Sequence, residues 1–183
     1  MSCEEMKRVA QVGHAGQWRK DGTTPYIEHP AAVVKRLEGW GFNDWTLAVA
    51  WAHDLLEDTP TEQHLALIEK ILHAAAGLQK SPAQVLDAIR LLTYDKTRFA
   101  SKDDYLRHIA RTAEFSVLAI KIADRLCNTL DFVRLLGRDN PKACTYLTAG
   151  SPLFEALQTS TDPRKTVILE DITHVKQIIT RTN

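Results

Sequence analysis

Three short segments hold most of the residues that could do chemistry: EHP at 28–30, HDLLED at 53–58 and KIADRLCN at 121–128. Taken together, His29, His53, Asp54 and Asp124 offer imidazole nitrogens and carboxylate oxygens in an N2O2 set. That set leaves two positions of an octahedron for water or substrate, and it suits Mn2+, Fe2+ or a similar ion without thiolate. A divalent ion so held lowers the pKa of a bound water and polarises a phosphoryl oxygen, which is hydrolytic chemistry. Glu57 and Asp58 lie one turn beyond His53 and Asp54, where they could orient or deprotonate that water.

The elements that must position these groups read as helices. DWTLAVAWAHDLLED (44–58) is apolar almost all round up to Ala52, as in a helix buried on most faces, and then turns polar. Positions four apart lie about 40° apart around a helix, so His53 would stack on Glu57 and Asp54 on Asp58. The bland alternative is a solvated helix end. On 116–136, Lys121, Asp124, Asn128 and Asp131 recur at i, i+3, i+7 and i+10, along one face. That stripe is either the exposed side of the helix or the wall of a cleft, and Arg125, lying off it, could be a structural ion-pair partner.

Helical periodicity covers almost the whole chain. Ser2 could cap a helix reaching about His14; 14–30 is a Gly-, Thr- and Pro-rich loop; Pro30 suits the first turn of a helix ending near Gly39-Trp40-Gly41. The helix from Asn43 or Asp44 would stop at Thr59-Pro60. Further helices are expected over 61–76, 81–92, 102–113 and 116–136, with others after Asn140-Pro141 and Asp162-Pro163. The expected fold is all-α: a single domain over 1–183, a bundle of about eight or nine helices with no internal boundary. Among the aromatic residues and histidines, His14 and three of the four tryptophans read as packing, Trp18 is the one that could meet a ligand, and Tyr26 could do either.

Composition narrows the class. Apolar residues make up 44% and charged residues 25%, an ordinary globular balance. Lys plus Arg (23) equals Asp plus Glu (23), so no global charge points to nucleic acid or to a membrane surface, and any anion site must be local. No stretch approaches a membrane span, and the N-terminus lacks a signal-peptide pattern. Three cysteines without C-x-x-C spacing fit reduced thiols in the cytoplasm. The segment KTVILEDITHVKQIITR reads as an amphipathic packing helix that could also serve self-association.

In order, the motifs H-x4-R-K-D-G-x3-Y-x2-H-P, H-D-x2-E-D and K-x-A-D-R-x2-N resemble the hydrolase domain of RelA/SpoT proteins. That domain is the HD-superfamily module that removes the 3′-pyrophosphate from ppGpp and pppGpp. The resemblance covers roughly residues 7–135 and is similar to the stand-alone, metazoan SpoT-homologue-like alarmone hydrolases. It implies that His29, His53, Asp54 and Asp124 hold a single divalent ion, in that family usually Mn2+. It further implies that Glu57 and Asp58 activate the attacking water, that Arg19 and Lys20 line the nucleotide side, and that Asn128 meets sugar or base. Lys96 in LTYDK matches a loop over the pocket, Lys142 and Tyr146 match a basic residue and a Tyr that face phosphate, and Lys121 would join the phosphate contacts.

The sequence departs from the long RelA/SpoT proteins at Cys127, where they carry His, at Asp131, where they often carry Thr, and over 99–115. Those departures surround the substrate rather than the ligands. They leave open another nucleotide substrate (ppApp, NADPH or a nucleotide monophosphate ester), or a nucleotide-binding module without catalysis.

Overall fold

The computed structural model describes residues 3–59, 61–137 and 140–180, without the side chains of Asp58 and Thr61. Ser2 and Pro60, read above as helix start and stop signals, lie outside the described residues. The chain forms helices α1 (Cys3–Gly13), α2 (Glu28–Gly39), α3 (Asp44–Ala52), α4 (Leu55–Asp58), α5 (His64–Ala74) and α6 (Pro82–Leu92). It continues as α7 (Lys102–Thr112), α8 (Phe115–Leu136), α9 (Pro141–Thr148), α10 (Ser151–Thr159) and α11 (Lys165–Thr180). A 3-10 turn at Thr61–Gln63 precedes α5. The all-α expectation holds, and two of the expected helices each appear as two shorter ones. The chain divides into two compact units, residues 1–99 and 100–183.

In the first unit α3 is the central element. Every residue from Trp45 to Ala52 is buried, which is why its sequence carries no polar stripe. It packs against α1, α2 and α6, and α5 closes on α1 and α6. Trp40, Trp45 and Trp51 are core residues, whereas Trp18 is 57% exposed. The start of α6 is set by a capping box: the Ser81 hydroxyl accepts from Gln84 N at 3.3 Å, and Ser81 N donates to the Gln84 side chain at 3.0 Å. Such a cap contributes on the order of 1 kcal/mol.

The second unit is arranged around α8, which packs on α9, α10 and α11, with α7 against α10. Asn140 caps α9, its Oδ1 accepting from Lys142 N at 3.0 Å, with Pro141 at the first helical position. α9 and α10 meet at Ala149-Gly150. Before α11, Asp162 accepts from Arg164 N at 3.0 Å, from its Nε at 2.9 Å and from its Nη2 at 2.6 Å. The Arg164 guanidinium in turn lies over Phe115 at the start of α8, 5.4 Å from the ring centroid.

Candidate metal centre and phosphate-facing groups

The expected continuous helix 44–58 breaks at His53-Asp54. His53 Nδ1 lies 2.7 Å from the carbonyl of Ala50, the acceptor that Asp54 N–H would use in an unbroken α-helix. The ring competes for that carbonyl, and Glu57 N bonds instead to Asp54 O, three residues back, at 3.1 Å. A carbonyl only accepts, so Nδ1 carries the hydrogen and the neutral ring presents Nε2 as its basic nitrogen. The simple stacking of His53 on Glu57 and of Asp54 on Asp58 is therefore replaced by a turn between α3 and α4.

That turn brings His53 and Asp54 to His29, in the first turn of α2. Nε2 of His29 lies 3.4 Å and Nε2 of His53 lies 3.2 Å from the same oxygen, Asp54 Oδ2. The two imidazoles are buried, with ring centroids 5.4 Å apart, and Asp54 retains partial access to solvent. Two ring nitrogens and a carboxylate oxygen facing one another in a largely dry setting form a donor set suited to a divalent cation.

Around these three, Tyr26 plays a part that spacing left open between packing and substrate contact. Its hydroxyl donates to Asp54 Oδ2 at 2.9 Å, and its ring meets His29 edge-on with centroids 6.0 Å apart. His14, buried as expected, stacks on the Tyr26 ring with centroids 4.6 Å apart and holds Gln17 through Nδ1 at 2.7 Å. The available signal was position: in Y-x-x-H-P the tyrosine falls three residues before the histidine.

The loop 14–27 is tied into a narrow hairpin. Trp18 bridges to Pro25, Arg19 N donates to Thr24 O at 2.8 Å, and Tyr26 N donates to Gln17 O at 2.9 Å. At its tip Gly22 adopts φ +70°, which favours glycine. Asp21 accepts from Thr23 N at 2.9 Å and Thr24 N at 2.8 Å through Oδ1, and from the Thr24 hydroxyl at 2.6 Å through Oδ2. Arg19 lies over Tyr26, 5.3 Å from its centroid, while Lys20 is exposed at the turn.

Glu57, exposed on α4, accepts from Tyr94 N at 3.1 Å, so the loop that carries Lys96 is tied to the helix that carries the candidate base. Lys96 itself is exposed. Asp58 belongs to α4, but its side chain lies outside the described residues.

In the second unit the stripe on α8 is not an exposed face at its centre. Lys121 is 9% and Asp124 4% exposed. Lys121 Nζ pairs with Asp124 Oδ2 at 3.0 Å, and Asn128 Nδ2 donates to Asp124 Oδ1 at 2.5 Å, so both carboxylate oxygens are engaged. The Lys121 ammonium also lies over the ring of the buried Tyr105, 5.4 Å from its centroid. At the foot of the stripe Asp131 pairs with Arg134 at 3.8 Å, an ordinary partly exposed pair.

On α9, Tyr146 is half-buried against Phe132, with ring centroids 5.2 Å apart, and exposed Lys142 lies over the same phenylalanine at 4.9 Å. Burial, with the Asp124 carboxylate next, pushes the Tyr146 phenol above its ordinary value, so its hydroxyl keeps the proton and can donate to an anion.

The HD domain family model matches residues 7–149. The chain belongs to the HD-domain family. Curated relatives include the guanosine-3′,5′-bis(diphosphate) 3′-pyrophosphohydrolase of Haemophilus influenzae, 31% identical over 140 residues. The bifunctional (p)ppGpp synthase/hydrolase SpoT of Escherichia coli K12 is 34% identical over 140 residues. Each alignment covers 73% of this chain but only 18% of the relative, so the chain spans about a fifth of the length of those proteins. Among solved structures, a metazoan orthologue of SpoT, described as hydrolysing ppGpp, superposes with a TM-score of 0.71 at 20% identity, covering 96% of both chains. At that identity the likeness is one of fold alone. No helix among the described residues is long and apolar enough to cross a membrane.

Proposed function

We propose that this HD-domain chain is a metal-dependent hydrolase that removes the 3′-pyrophosphate of guanosine alarmones, converting ppGpp or pppGpp to GDP or GTP plus pyrophosphate. One observation carries the reading: two buried imidazoles present Nε2 to the same Asp54 oxygen at 3.4 and 3.2 Å, with the His53 tautomer set by Ala50. That donor chemistry fits a divalent ion, for which His29, His53, Asp54 and Asp124 would be the ligands and Mn2+ the preferred metal. When bound, the ion supplies Lewis-acid polarisation and lowers the pKa of a coordinated water. The alarmone hydrolases among the relatives support the choice of substrate.

The side chains then divide the remaining work. Glu57, held through Tyr94 N, accepts the proton of the attacking water, with Asp58 beside it on α4. Lys121, Lys96 and Lys142 neutralise the negative pyrophosphate oxygens and so favour attack of water at the phosphorus. Tyr146 donates its retained proton to a phosphate oxygen. Arg19 and Lys20, on a hairpin braced by Asp21, receive the nucleotide, and Asn128 contacts its sugar or base. The two units act as one HD-type domain, a reading supported by a family match that runs through position 99. The free cysteines accord with a cytoplasmic protein.

The test is turnover of ppGpp, ppApp and NADPH side by side with Mn2+, coupled to metal analysis. Pyrophosphate release from ppGpp at the highest kcat/KM is expected. Faster turnover of ppApp or NADPH would keep the enzyme and replace the substrate. A protein that holds no metal, and whose Asp54→Ala variant still binds nucleotide, would be a binding module instead.

A further inference from the structure

α8 carries a second buried cation to which the chemistry above gives no task. Arg125 follows Asp124 directly and is 7% exposed. Its neighbours Lys121 and Asp124 already neutralise each other at 3.0 Å. Among the described residues Arg125 forms no ion pair. Its guanidinium lies instead over the ring of Tyr146, with Cζ 4.2 Å from the centroid, within the range of a cation–π contact.

Arg125 also meets bare backbone. A Cβ at Gly150 would lie 2.5 Å from Arg125 Cδ, 2.6 Å from its Nε and 3.0 Å from Leu147 O. Gly150 has φ −82°, open to any residue, so space rather than backbone conformation calls for glycine there. Tyr146 and Gly150 are four residues apart along the chain that runs through α9, and Arg125 lies close to both. Phe132, seven residues after Arg125 on the same face of α8, packs on Tyr146 at 5.2 Å. The tyrosine ring is thus held by two side chains of α8, two turns apart.

We propose that Arg125 is a positioning residue for substrate binding: held against Tyr146 and Gly150, it sets the Tyr146 hydroxyl and the α9 face bearing Lys142 relative to Lys121 and Asn128 on α8. The inference rests on the reading that Tyr146 and Lys142 meet substrate phosphate. Its physical content is preorganisation: donors locked by packing before the ligand arrives bind it without a further ordering cost. Gly150 belongs to the device because a methyl group there would push Arg125 off the ring.

The full-length protein is compared as Arg125→Met, Arg125→Lys, Gly150→Ala and Tyr146→Phe, with 13C-labelled tyrosine. The Tyr146 ring signal is assigned by its loss in Tyr146→Phe. It should shift in Arg125→Met and Gly150→Ala and return towards the native position in Arg125→Lys. With Mn2+ and ppGpp, the first two variants should raise KM about tenfold while kcat stays within about twofold, and the lysine should recover most of that loss. Inorganic pyrophosphate affinity, measured by calorimetry, should fall in parallel. An unmoved Tyr146 signal in Gly150→Ala overturns the clamp, as does a moved signal with unchanged pyrophosphate affinity. Absence of ppGpp turnover in the native protein would instead sink the alarmone reading, while the ring signal and pyrophosphate affinity still decide the role of Arg125. Should Arg125→Met fail to fold by circular dichroism, Gly150→Ala and Arg125→Lys carry the same comparison.

Discussion

The hydroxyl of Tyr26 donates to Oδ2 of Asp54 at 2.9 Å, and that same carboxylate oxygen faces His29 and His53. A hairpin residue thereby orients the one carboxylate of the first unit in the proposed ligand set. Removing that hydroxyl should loosen Asp54 without emptying the core. Tyr26→Phe keeps the ring stacked on His14 and is expected to weaken Mn2+ binding about tenfold, in the range found when hydrogen bonds to metal ligands are lost. Calorimetric titration of the metal-stripped protein with Mn2+ checks this, and native affinity in Tyr26→Phe would show that Asp54 is held by other means.

The proposed ligands and the proposed base should separate experimentally. His53→Ala and Asp124→Ala are expected to lose both bound metal and turnover. Glu57→Gln should retain metal while kcat drops by about 10²- to 10⁴-fold, the range for losing a positioned proton acceptor. Metal content by mass spectrometry beside phosphate and pyrophosphate release distinguishes the two classes. Normal activity in Glu57→Gln would remove that residue from the mechanism.

Asp21 braces the hairpin through three accepted hydrogen bonds, from Thr23 N, Thr24 N and the Thr24 hydroxyl. Asp21→Ala should cost about 1–2 kcal/mol for these partly exposed bonds, lowering Tm by a few degrees. Because Arg19 and Lys20 precede the turn, KM should rise severalfold with little change in kcat. Thermal melting and steady-state kinetics measure the two effects, and an unaltered KM would detach the hairpin from substrate binding.

The junction before α11 sets a pH dependence of stability. Hydrogen bonding by Arg164 holds the Asp162 carboxyl below the ordinary carboxylate range. A folded-state pKa lowered in this way contributes stability that is present above the unfolded value, about 3.9, and is lost as pH falls through the folded value. Asp162→Asn should therefore melt below the native protein at neutral pH, and the gap should close as the medium is acidified below about pH 4. A gap independent of pH would mean that shape rather than charge makes the contact.

Much of the framework was legible because periodicity and caps are local properties. The apolar run of α3 marks burial, and Asn140-Pro141 and Asp162-Pro163 mark where α9 and α11 begin, since a missing N–H and a short polar acceptor suit a first turn. The ligand candidates were legible too: imidazoles and carboxylates at His29, His53, Asp54 and Asp124 stand out in segments otherwise given to packing. Residue type and spacing, by themselves, thus determined the all-α class and singled out the candidate N2O2 set. They also placed Lys121, Asp124 and Asn128 on one face.

Tertiary structure decided what lies opposite each face, which no periodicity encodes. Spacing could not tell an exposed stripe on α8 from a buried one; in the folded chain Lys121 and Asp124 are buried and paired. A continuous 44–58 helix was the simplest local reading until the His53 ring took a share of the Ala50 carbonyl and opened a turn at Asp54. The Tyr26–Asp54 bond spans 28 residues, and the slot for Arg125 needs both the Tyr146 ring and the bare backbone of Gly150. Each of these joins residues distant in sequence, and its geometry exists only once the helices that carry them have packed.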